Sequence, residues 1–149
     1  MKDRKLRSHE VMLRMARVRE LRASMALSKA HKDEREQKAV VNEVTVTRDA
    51  VTAASVACLS RDLPVNMGRY ATLAVLEDAL AVKWRLASDE LISLSKAREA
   101  SANQSLMAKR YRDHVSTCTD ETRRVLEQAR SARQLDDGIE VWLGNKVVA

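Results

Sequence analysis

Arg61-Asp62-Leu63-Pro64-Val65-Asn66-Met67-Gly68-Arg69 holds the one proline of the chain and one of its three glycines, the others being Gly138 and Gly144. The stretches on either side, as far as Gly138, contain neither breaker. Both carry apolar residues at helical spacing over many turns. Two helices of that length cannot each bury an apolar stripe alone, so one short turn between them predicts that they fold back on each other. The expected fold is all-α: a long antiparallel two-helix coiled-coil hairpin with a short C-terminal tail. Its predicted parts are helix one over about 3–60, the turn over 61–69, helix two over 70–136 and the tail over 137–149, all within a single coiled-coil domain of residues 1–149.

Composition agrees. Hydrophobic residues make up 45% of the 149, yet there is no Phe and only two Trp and two Tyr. A thick globular core draws heavily on aromatics, whereas a two-helix seam is filled by side chains of Ala, Leu and Val size. Charged residues at 32% with so little Gly and Pro match a coiled coil better than a disordered chain. No segment has the roughly 20 apolar residues of a membrane span, and no apolar h-region follows the opening Met-Lys-Asp-Arg-Lys. Two cysteines without CxxC spacing predict a reducing compartment, the cytoplasm by default.

On helix one the early seam reads Val11, Met15, Val18, Leu21 and Met25, in steps of four, three, three and four. It lapses over His31–Lys38 (HKDEREQK) and returns as Val40, Val44, Thr47, Val51, Ala54 and Cys58. Val44-Thr45-Val46-Thr47 could alternate as a strand, but the stripe runs through it, so a helix is expected. Asp62 or Asn66 can cap the second helix. That helix shows the clearest pattern, Leu73, Leu76, Leu80, Trp84, Ala87, Leu91 and Leu94. It weakens over Ser95–Gln104, then recovers through Leu106, Tyr111, Val115, Cys118, Val125 and Leu126. Gly138 is expected to end it as an αL cap. Folding near residue 66 pairs position i with roughly 132 minus i, which brings the two weak stretches to one level and predicts a loose or solvated section there.

The same fold gathers charge. Residues 1–38 carry twelve Lys or Arg against six Asp or Glu, and residues 98–135 carry eight against five. The end holding the termini is therefore expected to be basic, with an acidic partner.

Chemistry finds little foothold. His9, His31 and His114 are scattered, no phosphate-cradling glycine loop or nucleophile motif occurs, and the carboxylates lie among basic neighbours. No catalytic, cofactor-binding or metal-binding residue is predicted, and no small-molecule substrate. Cys58 and Cys118 fall at opposite ends of the hairpin, too far apart to bridge or share an ion. Nucleic acid is a disfavoured partner despite a pI of about 9.6, because acids interrupt LRSHEVMLRMARVRELR and KRYRDH and no aromatic platform appears. Arg4–Arg22 is basic and amphipathic enough for a membrane-surface helix, but it lacks an aromatic anchor, and packing in the seam accounts for its stripe. Trp84 keeps register with the leucines and reads as core. Trp142, in the tail, either docks on a partner or folds back.

The opening MKDRKLRSHEVMLRMARVRELR, the central LPVNMG turn and the late RRVLEQARSAR resemble the YscO/HrpO/FliJ stalk proteins of type III secretion systems, over nearly the whole chain. That resemblance implies a non-enzymatic antiparallel stalk whose terminal end enters a hexameric secretion ATPase and links it to the cytoplasmic domain of the export gate. Some members also handle secretion chaperones. It implies a cytoplasmic protein peripherally associated with the inner-membrane secretion apparatus, without membrane insertion. Charge and place then make Arg14, Arg17, Arg22, Arg123 and Arg124 candidate ATPase contacts, with Trp84 and Trp142 further partner-binding candidates. The rival expectation is a basic helical nucleic-acid-binding protein or a self-assembling scaffold.

Overall fold

The computed structural model describes residues 2–59 and 64–147, with side chains from 4 to 59 and from 64 to 146. Two helices make up nearly all of it: α1, Lys2–Cys58, and α2, Met67–Val147. They pack against each other as an all-α helical hairpin, the expected fold, and Val44–Thr47 is helical throughout. The threonines there are tolerated because their hydroxyls return to the preceding turn, Thr45 Oγ1 to the Val41 carbonyl at 2.8 Å and Thr47 Oγ1 to that of Glu43 at 2.9 Å.

At the connection, Leu59 N donates to the Val56 carbonyl, tightening the end of α1. Asn66 caps α2: its side-chain oxygen accepts from Arg69 N at 3.0 Å, and its carbonyl from Tyr70 N at 3.0 Å. Asp62, the other candidate cap, lies outside the described residues. Gly68 belongs to the first turn of α2 rather than to the bend.

The fold divides into two compact units. A turn unit comprises Met25–Asn103, and a termini unit comprises Met1–Ser24 with Gln104–Ala149. In the turn unit Val44, Val51 and Leu80 form the core, with Leu73 and Trp84 packed against it. The Trp84 indole N–H donates to Thr45 Oγ1 at 3.2 Å, and the Arg48 guanidinium lies 5.9 Å from the ring centroid. Where the two weak stretches meet, no residue of 31–38 or 95–104 is buried, in keeping with the expected loose or solvated section, and the contacts made from it are polar. Arg98 Nε lies 2.8 Å from Glu34 Oε2, and Gln37 Nε2 donates to the Ala87 carbonyl at 2.9 Å. The Arg98 N–H points off that oxygen, so the contact is an ion pair rather than an aligned hydrogen bond.

The termini unit corrects the sequence reading. Val11, Met15, Val18 and Leu21 are not in the seam but exposed, as are Leu106, Tyr111 and Val125 on α2. Met25 and Val40, read as seam residues of the other unit, are exposed as well. The pairing face is built from smaller residues. Ala16 is fully buried, with Leu13 and Ala23 half-buried on α1. Val115, Thr119 and Leu126 face them from α2. Thr119 tolerates complete burial because its hydroxyl donates to the Val115 carbonyl at 2.7 Å.

Gly138 is the second correction. No glycine among the described residues has a positive φ, and α2 continues through Gly138 and Gly144 to Val147. One glycine weakens a helix by about 1 kcal/mol without ending it, and Ile139 to Leu143 resume good helix-compatible spacing. The segment beyond residue 136 is thus helix rather than tail, and every side chain from Ser131 to Lys146 is exposed. A Cβ built on Gly138 meets nothing within 4 Å. Gly138→Ala is therefore expected to stabilise this part of α2 by about 0.5–1 kcal/mol, seen as slower amide hydrogen exchange over 134–146. An αL cap would give the opposite sign.

Candidate partner-binding face

Ion pairs fix which faces of the helices meet in the termini unit. Glu10 Oε1 lies 3.6 Å from Arg123 Nη2, and Glu20 Oε2 lies 3.3 Å from Arg112 Nη1. As the α1 number rises the α2 number falls, so the segments run antiparallel. His9 Nδ1 and Thr122 Oγ1, 3.1 Å apart, join the same face. Part-exposed pairs of this kind contribute roughly 0.2–1 kcal/mol each. Their larger effect is on register, since a one-turn slip would separate them all.

What remains on the other side of α1 follows from helix geometry. At about 100° per residue, Val11, Met15, Val18 and Leu21 fall within roughly 120° of one another and lie across the helix from Leu13, Ala16 and Glu20. Arg4, Arg7, Arg14 and Arg22 interleave with or flank that stripe, with Arg19 at its border. Between Arg4 and Arg22 the only carboxylates are Glu10 and Glu20, and both are paired on the opposite or lateral side. The outer face is thus apolar and cationic, bordered by one acid, Glu10, which is paired with Arg123.

The predicted contact arginines do not form one patch. Arg14 and Arg22 border the exposed stripe of α1, and Arg17 sits at its edge. Arg124 is exposed on the far side of α2, two residues from buried Leu126 and so roughly 200° around the helix from it. Arg123 is held by Glu10 and by Asp120, whose Oδ1 lies 3.2 Å from Nη1. Trp84 is half-buried in the turn unit's core, as its register predicts. Trp142 does not fold back: it is exposed on α2 with the Lys146 ammonium 4.3 Å from its ring centroid.

Charge separates the units. The termini unit has sixteen Lys or Arg against ten Asp or Glu, and the turn unit eleven against eleven, so the whole net charge of +6 lies in the unit containing both chain ends. Among the described residues no group of three or more His, Cys, Asp or Glu is placed to hold a metal ion, and no helix is long and apolar enough to cross a membrane. Compared with known proteins, the chain matches no family model, no curated protein and no solved structure.

Sequence reasoning missed the outer face because the four-three spacing of Val11, Met15, Val18 and Leu21 marks them as the seam when one helix is read alone. A signal was available: with the pairing rule of about 132, Glu10, Glu20 and Glu34 meet Arg123, Arg112 and Arg98 almost to the residue. Of these, Glu20 opposite Arg112 shares a face with Leu13 and Ala16 and so marks the smaller stripe as the seam.

Proposed function

We propose that this chain is a non-enzymatic stalk of a type III secretion export apparatus, joining the hexameric export ATPase to the cytoplasmic ring of the export gate. One observation carries the reading: a helical hairpin whose entire net positive charge is confined to the unit holding its two ends. The termini unit suits an acidic socket, and the turn unit, with no net charge, suits a neutral or mixed surface. Its two long helices fit a mechanical coupler. The YscO/HrpO/FliJ resemblance supplies the particular partners. In the ring, the termini unit would sit against several subunits unequally and bias their ATP cycles in turn. Arg14, Arg17, Arg22 and Arg124 would make the contacts, while Arg123 would hold the hairpin together.

Mixing the full chain with its export ATPase is expected to raise ATP hydrolysis or hexamer formation severalfold. Arg14→Glu with Arg22→Glu should remove most of that gain, and Arg69→Glu in the turn unit should not. Unchanged hydrolysis and assembly at saturating stalk would reject this function.

A further inference from the structure

We propose that the outer face of α1 between Arg4 and Arg22 binds the surface of an anionic membrane. The stripe at its centre is substantially exposed: Val11 54%, Met15 55%, Val18 48% and Leu21 62%. Membrane-surface helices combine such a stripe with basic residues placed to reach lipid phosphates while the apolar side chains enter the headgroup–acyl boundary. Here Arg4, Arg7, Arg14 and Arg22 supply the charge. Seam packing cannot account for the stripe, since that role belongs to Leu13, Ala16 and Ala23.

Three features single out lipid as the occupant. The face is poor in carboxylates: between Arg4 and Arg22 only Glu10 borders it, paired with Arg123, and Glu20 lies on the seam side, paired with Arg112. A second copy would present the same cationic face to this one and be repelled. Duplex nucleic acid would satisfy the arginines but leave the four apolar side chains in water, whereas a lipid surface takes both. The helix is also preformed. Its other side is already held by α2, so binding requires no coil-to-helix transition. With no helix of the described residues able to cross a bilayer, the chain would lie on the membrane rather than span it.

Sedimentation of the full chain with lipid vesicles tests this without any ATPase present, so its outcome is independent of the stalk reading. One vesicle set is pure phosphatidylcholine, and the other contains about a third phosphatidylglycerol. At about 0.1 M salt the anionic set is expected to bind at least roughly twentyfold tighter, since each arginine near the surface contributes about fivefold. Arg7→Glu with Arg14→Glu should lose most of that preference. Val11→Asn with Val18→Asn should lose about tenfold with the circular dichroism spectrum unchanged, because neither side chain is in the seam. Absence of binding to anionic vesicles overturns the proposal, and so does undiminished binding by the asparagine variant, which would mean simple charge adsorption. A DNA duplex bound in place of vesicles, or a dimer that the asparagine variant dissolves with no vesicle binding, would assign the face elsewhere and overturn it too.

Discussion

Leu80→Ala is expected to destabilise the turn unit by about 2–4 kcal/mol, the usual cost of removing a buried leucine where the surroundings collapse only in part. Leu80 is 9% exposed and sits between Val44 and Val51, with Leu73 and Trp84 alongside. The loss is a large fraction of the unit's stability because a two-helix seam has no second layer to fall back on. For a chain of this size it corresponds to a fall in Tm of roughly 5–15 °C. Leu86→Ala is the control. The same residue type on the same helix, six positions away, is 67% exposed, so its removal should change stability by no more than about 0.5 kcal/mol. Thermal or urea denaturation followed by circular dichroism measures both, and equal losses would contradict the packing of this unit.

The turn unit was the more legible half of the sequence. Leu73, Leu80, Trp84, Ala87, Leu91 and Leu94 recur at helical spacing over six turns, and all six are buried or half-buried, while Val75, Val82 and Leu86 on the opposite face are exposed. Leu76, inside that predicted run, is the member that is exposed. Residues 4–24 are different, because two stripes compete there. One is wholly aliphatic (Val11, Met15, Val18, Leu21), and the other mixes Leu13, Ala16 and Ala23 with glutamates. Area alone favours the first, since burying a Met or Val removes more apolar surface than burying an Ala. Complementarity with α2 favours the second, where Arg112 and Arg123 need acids opposite and Thr119 needs a small neighbour. Periodicity sees one helix at a time and cannot weigh that demand. Gly138 was misread for a related reason: a glycine beside Asp136-Asp137 has the composition of a cap, but a cap also needs a chain that turns away, and Ile139-Glu140-Val141-Trp142-Leu143 continues as helix.

Adjacent substitutions decide between those two stripes. Ala16→Glu is expected to cost about 3–5 kcal/mol, because Ala16 is wholly buried and its replacement would bring an unpaired carboxylate into the seam. The position offers that charge little compensation. Arg112 is already bound to Glu20 and to Asp113, whose Oδ1 lies 2.8 Å away, and a glutamate at 16 would stand one turn from the like charge of Glu20. Met15→Glu, one residue earlier, adds the same charge to an exposed site among arginines, four residues before Arg19. Its stability should shift by no more than about 0.5 kcal/mol, with a small gain possible from that i,i+4 pair. Denaturation of the two full-length variants, with amide exchange over residues 6–23 locating the loss, reads the contrast directly. If Met15→Glu proves the damaging change, the larger stripe is the seam. The outer face would then no longer be free to meet either a ring or a membrane.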